Sequence, residues 1–211
     1  MISNPIDARA TAVTRARYQR ISRTYDRMEA LSERRFHPWR QKLWSLVCGP
    51  HVLEVGVGTG KNMPFWPGDM CMTAIDLTPG MLERAQQRAG QLNSKADLRL
   101  GDVQMLDFLD ASFDTAVATF VFCSVPDPIL GLRELKRVVK PGGQIILLEH
   151  MRSPGETIGK IMDILNPLIV RIMGANINRR TVENVQRAGL NIERVEDLGM
   201  GGIVKLIVAR V

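Results

Sequence analysis

Apolar and polar positions change rhythm three times along this chain. From about Thr14 to Trp44 the apolar and aromatic residues Tyr18, Ile21, Tyr25, Met28 and Leu31 recur in three- and four-residue steps. That spacing predicts one face of a helix, with Pro38 breaking or restarting it. After Gly49-Pro50, short apolar runs alternate with helical stretches. His51–Val55, Met70–Asp76, Asp97–Gly101, Phe113–Phe122 and Gln144–Glu149 read as strands. Helices are predicted from Thr78-Pro79-Gly80 to about Gln91 and from Pro126 to Val139, with a Lys140-Pro141-Gly142-Gly143 turn. Residues 156–173 form an apolar helical stretch that Asn166-Pro167 interrupts. Thr181–Ala188 is a short helix stopped by Gly189. Asn191–Leu198 and Ile203–Val208 then read as two strands joined across Gly199-Met200-Gly201-Gly202.

This alternation predicts an α/β fold: a seven-stranded, mostly parallel sheet, helices on both faces, and a C-terminal antiparallel hairpin. Residues 1–13 carry no pattern and are expected to be loose. Residues 1–44 read as a basic amphipathic segment. Residues 45–211 read as the main domain, with an apolar cap at about 152–180.

Composition narrows the function. The 211 residues carry 45% hydrophobic and 24% charged side chains, ordinary for a folded domain. The polar start, Met1 to Thr14, predicts no secretory leader, and no apolar run is long enough to span a bilayer. Cys48, Cys71 and Cys123 lack metal-ligand spacing and are expected to be buried thiols in a reducing cytoplasm. His37, His51 and His150 are scattered, so no metal site is predicted. The net charge is +6, yet Arg9 to Lys42 alone holds ten basic residues against Asp26, Glu29 and Glu33. Such a segment suits an anionic membrane surface or a nucleic acid; a solvated helix face is the plain alternative. An amphipathic helix of this kind can dock on lipid or pack on the domain.

Chemistry is suggested by acids and glycines at strand ends. Gly56, Gly58 and Gly60 follow the first strand, where glycine lets a ligand approach the backbone closely. The third glycine comes one residue earlier than in the dinucleotide spacing G-x-G-x-x-G. Asp76 ends the next strand, beside that loop, where a carboxylate can accept both hydroxyls of a ribose. Asp102 follows the third strand on the same edge and can receive an adenine amine.

Leu53-Glu54-Val55-Gly56-Val57-Gly58-Thr59-Gly60, Asp76, Gly101-Asp102 and Lys140-Pro141-Gly142-Gly143 closely resemble the successive motifs of class I S-adenosylmethionine methyltransferases. Val57 stands where many members carry a smaller residue. The resemblance implies S-adenosyl-L-methionine as cofactor and S-adenosyl-L-homocysteine as product. It implies cofactor contacts from Tyr18, Tyr25, Glu54, Gly56, Gly58, Gly60, Asn62, Asp76, Leu77, Met81, Asp102, Val103 and Phe120. Tyr25-Asp26 through His37-Pro38-Trp39-Arg40 is similar to quinone-biosynthesis C-methyltransferases and to bacterial phosphatidylethanolamine N-methyltransferases. Leu148-Glu149-His150-Met151-Arg152-Ser153, Asn166-Pro167 and Asn176–Thr181 favour the second group. Lipid-associated thiol methyltransferases share part of the pattern.

The activity so implied is stepwise methylation of phosphatidylethanolamine towards phosphatidylcholine, at the inner face of the cell membrane. Tyr25, Glu149 and His150 are the candidate catalytic groups, and Arg179 and Arg180 the candidate ligands of a lipid phosphate. The Ile-, Leu- and Met-rich cap suits acyl chains or an apolar ring. The rivals are a ubiquinone or menaquinone C-methyltransferase and, more remotely, a nicotinamide-dependent oxidoreductase. Phe120-Val121-Phe122-Cys123 stands where amine-targeting nucleic-acid enzymes carry an Asn/Asp-Pro-Pro-aromatic tetrad, so no nucleic-acid partner is expected.

Overall fold

A computed structural model describes residues 6–211 of the chain. Seven strands form one sheet: β1 (His51–Val55), β2 (Cys71–Asp76), β3 (Asp97–Leu100), β4 (Phe113–Thr119), β5 (Val139–His150), β6 (Asn191–Gly199) and β7 (Val204–Arg210). Their order is β3-β2-β1-β4-β5-β7-β6. Strands β1 to β5 pair in parallel; β7 runs antiparallel to both β5 and β6. The chain leaves β1 towards β2 and returns to β4 on its other side. A crevice therefore opens beyond the carboxyl ends of β1 and β4, where α/β sheets of this kind take ligands.

The period of two along the strands divides the core. Leu53, Val55, Ala116, Ala118, Ile145 and Leu147 face one side, packing with Leu132 and Leu135 of α5 (Pro128–Val138) and Val185 of α7 (Thr181–Arg187). Val52, Val117, Ile146 and Leu148 face the other, against Leu43 and Trp44 of α3 (Ala30–Trp44). Ala74 meets Leu82, Ala85 and Ala89 of α4 (Pro79–Gln91). Burying each larger aliphatic side chain contributes about 1.5–3 kcal/mol. Helix starts are encoded locally. Asp127 caps α5 by accepting from the Ile129 and Leu130 N–H groups, and Pro128 occupies the first turn, where its missing N–H costs nothing.

The expected single amino-terminal helix is three: α1 (Ala8–Ile21), α2 (Tyr25–Met28) and α3. Thr24 ends the first by donating both its N–H and its hydroxyl to the Ile21 carbonyl. The break splits the proposed apolar face: Tyr18 and Tyr25 turn inward, while Met28 and Leu31 are exposed. Residues 8–13, expected to be loose, belong to α1; residues 1–5 of that expectation lie outside the described residues. Pro38 and Pro167 break nothing. Each lies inside a continuous helix, α3 and α6 (Glu156–Met173) respectively. Arg34 and Asp163, one turn earlier, are exposed, so water can satisfy the carbonyls left without a donor. Strand β4 stops at Thr119, three residues sooner than expected. Of the three cysteines only Cys123 is buried; Cys48 and Cys71 are exposed, because each lies at the edge of a strand entry. Among the described residues no helix is long and apolar enough to cross a membrane.

Candidate active site

The crevice holds a pocket of about 730 Å³, counting its open mouth. Its floor is the loop after β1. Gly56, Gly58 and Gly60 have φ of +65°, +58° and +81°, the left-handed region that side chains resist. They differ in what surrounds them. A Cβ on Gly56 would stand 2.5 Å from Val121, and one on Gly60 2.8 Å from Met63. A Cβ on Gly58 would meet nothing closer than 4.0 Å, so its open side is pocket space. Gly56 and Gly58 line the pocket. Gly60 does not; it packs against Met63 behind the loop.

Asp76 joins the floor to the wall. One carboxylate oxygen accepts the Gly58 N–H at 2.8 Å and the other the Thr78 N–H at 2.8 Å. Burial raises its pKa, and those two donors work against the shift. Leu77, Met81, Asp102, Val103 and Phe120, all named from the sequence as cofactor contacts, complete the walls. Asp102 accepts from the Gln104 N–H at 2.9 Å and is steadied by the Gln104 amide. The open backbone at Gly58, a carboxylate at the end of β2 and a second after β3 fit an adenosyl group carrying an amino-acid tail.

The amino-terminal helices close the top. Tyr18 and Tyr25 line the pocket, and the Tyr18 hydroxyl shares a 2.5 Å hydrogen bond with Ser124 Oγ. Burial raises the pKa of both phenols, so they stay protonated. Polar contacts tie these helices to the domain. The Gly80 N–H donates to Gln19 at 2.9 Å, and Arg15 donates to the Leu77 carbonyl at 3.0 Å. Asp26 accepts from the Thr59 hydroxyl at 2.6 Å and from Arg84 and Arg88 at 2.8 and 3.1 Å. Thus α1 presents a polar and aromatic face to the domain, which is why it has no fully buried residue.

Glu54 and Asn62 do not reach the pocket, contrary to the expected direct contacts. Glu54 points into the protein, 1% exposed, and accepts from Asn62 at 2.6 Å and Trp66 at 2.7 Å. Asn62 in turn donates to Thr119 at 3.0 Å and accepts from buried Arg40 at 2.8 Å. Burial pushes Glu54 up to about 7 despite these donors. The pair ties the end of β1 to Trp66, to Thr119 at the end of β4 and to Arg40 of α3.

The catalytic candidates separate. Tyr25 lines the pocket; Glu149 and His150 do not. Glu149 is fully buried, and one oxygen accepts the Val121 and Phe122 N–H groups at 2.8 and 2.9 Å. It shapes the turn after β4, where Phe120 adopts φ +57°. Burial pushes its pKa up to about 7. His150 stacks on Phe120 with ring centroids 4.2 Å apart and packs edge-on to Phe36. Burial pushes it down to about 4, leaving a neutral ring behind the pocket wall. Arg179 and Arg180 are likewise elsewhere. Arg179 donates to the Val125 carbonyl at 2.8 Å, and exposed Arg180 pairs with Glu183 at 3.1 Å. Both border a separate cavity with Arg152, Ser153 and Lys205, and Arg179 also lines a shallow cavity that shares Thr14, Ser124, Val125 and Pro126 with the pocket. The pocket also includes Thr14, Ser124, Val125 and Pro126, which the sequence reading did not single out. Reading β4 through Phe122 hid the turn that carries the last three; the Ser-Val-Pro sequence was the available signal.

A methyltransferase-domain family model matches residues 53–147, which hold the glycine loop, Asp76 and Asp102. A demethylmenaquinone methyltransferase from Staphylococcus aureus is 31% identical over 86% of this chain and 79% of its own length. A phosphatidylethanolamine N-methyltransferase from Cereibacter sphaeroides is 38% identical, over 48% of this chain and 51% of its own length. The chain thus spans about half of that relative. A possible histamine N-methyltransferase from Thermotoga maritima shares the fold, with a TM-score of 0.73 at 20% identity over 93% of this chain and 99% of its own. The chain belongs to the S-adenosylmethionine-dependent methyltransferases. That membership sets aside the nicotinamide-dependent alternative.

Proposed function

We propose that the protein transfers methyl groups to the amine of phosphatidylethanolamine, towards phosphatidylcholine. The 38% identity to a phosphatidylethanolamine N-methyltransferase carries this reading. The pocket lining supports it: Tyr18, Tyr25 and Phe120 bring aromatic surface to the same space as the glycine loop. Aromatic faces accommodate an ammonium, and a methylated one best, since it has shed its hydration.

S-adenosylmethionine supplies, when bound, a methyl group activated by its sulfonium. The chain's residues provide binding and alignment. The open backbone at Gly58 would admit the amino-acid tail, Asp76 would accept from the ribose hydroxyls, and Asp102 would receive the adenine amine. Tyr18 and Tyr25 stay protonated, so they orient the amine and do not remove its proton; the ammonium loses that proton to water before the neutral nitrogen attacks the methyl group. Glu149 and His150 act through the Phe120–Phe122 turn and the Phe120 ring. They are positioning residues in this reading.

The second reading, a C-methyltransferase of quinone biosynthesis, is favoured by the relatives aligned over more of the chain, at 30–31% identity. Thiol S-methyltransferases from rat and human also match, at 29%. Incubation with labelled S-adenosylmethionine and, separately, phosphatidylethanolamine, a demethylated quinone and an alkyl thiol separates the three. Label in mono-, di- or trimethylated phospholipid is the expected result. Label only in the quinone or the thiol refutes the phospholipid assignment.

A further inference from the structure

A shallow cavity adjoins the pocket, and its lining differs in character from the pocket's own. Helix α6, expected to cap the acceptor, turns Ile161, Ile164, Leu165 and Leu168 outward, so these side chains do not roof the pocket. The end of the helix is what comes near. A Cβ on Gly174 would stand 3.5 Å from Arg17 Cδ and 3.6 Å from Tyr18 Cε2. Tyr18 lines the pocket, while Arg17, the residue before it on α1, lines the shallow cavity. Ser124 and Val125 line both. Ser124 Oγ shares the 2.5 Å hydrogen bond with the Tyr18 hydroxyl, and its neighbours Cys123 and Val125 present carbonyls to Arg179. One short turn therefore separates the aromatic pocket wall from the arginines.

Charge identifies what the cavity takes. Arg9 and Arg17 come from α1, which carries no acid, and Arg179 from the segment after α6. Asp7 is the one acid among the described lining residues. One of its oxygens accepts the Arg9 and Ala10 N–H groups at 3.0 Å, the cap that starts α1. Arg179 spends one terminal nitrogen on the Val125 carbonyl at 2.8 Å and the Cys123 carbonyl at 3.4 Å. Its Nε is buried without a partner among the described residues. An unpaired charged donor is costly, and an oxyanion in the cavity would supply the missing acceptor. Guanidinium forks match phosphate oxygens in geometry as well as charge. Arg180 is exposed, pairs with Glu183 and borders the other cavity. A phosphodiester of ethanolamine carries its amine and its anion on the two ends of one ethylene bridge, which suits aromatic rings and arginines on either side of a turn. A quinone ring and an alkyl thiol carry no anion to meet these arginines.

We infer that Arg17 and Arg179 form a phosphodiester subsite, which holds the acceptor's headgroup while its amine faces Tyr18. The identity of the ligand rests on the phospholipid reading; the anion site rests on the arginines. Calorimetry on the full chain loaded with S-adenosylhomocysteine tests it with three probes: monomeric dihexanoyl phosphatidylethanolamine, hexylamine and inorganic phosphate. Arg17→Gln and Arg179→Gln each lower affinity for the phospholipid by about tenfold or more, through lost charge-assisted hydrogen bonds. Affinity for hexylamine, which has no phosphate, is unchanged in both. Arg179→Lys recovers part of the loss, and Arg180→Gln binds the phospholipid as the wild type does. Arg179→Gln also removes a brace from the Cys123–Val125 turn; Arg17→Gln tests the subsite without that loss. The inference is overturned if the wild type does not bind the phospholipid, or if both glutamine variants bind it as well as the wild type. Inorganic phosphate bound as tightly as the phospholipid also overturns it, since that marks a site for free phosphate. Arginine-dependent binding of the phospholipid without methyl transfer to it removes the proposed substrate and leaves the subsite standing. Methyl transfer to phosphatidylethanolamine that neither glutamine substitution slows removes the subsite and leaves the substrate.

Discussion

Asp76 accepts the Gly58 backbone N–H at 2.8 Å, so the acid that ends β2 and the glycine loop that follows β1 form one unit. A ligand gripped by either is gripped by a pre-set geometry. Asp76→Ala leaves the Gly58 and Thr78 donors unpaired as well as removing the ribose acceptor. The expected outcome is a loss of S-adenosylmethionine affinity of tenfold or more, about 1–3 kcal/mol. Titration calorimetry measures it, and Asp76→Asn recovers part of the loss.

Gly56 and Gly58 share a left-handed backbone but not their surroundings. Gly58→Ala costs roughly 1–2 kcal/mol of backbone strain and meets no protein atom. Gly56→Ala adds a Cβ 2.5 Å from Val121, a clash costing a further 1–3 kcal/mol or so. Melting curves should therefore fall more for Gly56→Ala. Cofactor binding should fail in Gly58→Ala while that variant remains folded.

Asp26 links the helices α1 and α2, the lid over the pocket, to both the glycine loop and α4 through Thr59, Arg84 and Arg88. Its pKa is lowered chiefly by the Thr59 and Arg84 hydrogen bonds, which outweigh its partial burial. Asp26→Ala should loosen the lid more than it destabilises the domain. Stopped-flow measurement is expected to show faster release of S-adenosylhomocysteine, about tenfold, corresponding to about 1.4 kcal/mol. An unchanged release rate with an unchanged KM would contradict a gating role.

Stability should depend on pH in a window that surface carboxylates do not share. Glu54 and Glu149 are raised from 4.5 to about 7. Between those values the folded state holds more protons than the unfolded, so stability falls as pH rises. His150 is lowered from 6.5 to about 4, so its effect has the opposite sign across most of the window. Each group contributes a slope of at most about 1.4 kcal/mol per pH unit. Two glutamates outweigh one histidine. Urea unfolding from pH 4.5 to 7 is expected to show a net decline with rising pH. The decline should be shallower in Glu149→Gln and steeper in His150→Phe.

Much of this arrangement was legible in the chain itself. Short apolar runs bounded by glycine and proline turns located all seven strands, including β3 and β6, which are largely exposed. Gly56, Gly58, Asp76 and Asp102 were readable for a related reason. A ligand edge at successive strand ends needs glycine and acid at fixed offsets from each apolar run. A local signal also marked the start of α4, through Thr78-Pro79, while α5 begins at Pro128, two residues later than expected.

Tertiary structure alone decided which way the other side chains point. Glu54 and Gly58 are four residues apart, yet one is buried against Asn62 and Trp66 and the other opens to the pocket. Glu149 and His150 end a strand beside the site but serve the turn after β4, a contact made across the sheet and invisible along the chain. The stretch 156–173 was evident from sequence as an apolar helical segment, expected to break at Asn166-Pro167. Whether its Ile and Leu stripe covered the pocket or faced solvent was not, because helical periodicity defines a face and only packing defines what that face meets. The amino-terminal helix is the converse case. Its arginines announced a basic surface, while Tyr18, Gln19 and Asp26 show that its other side is committed to the pocket.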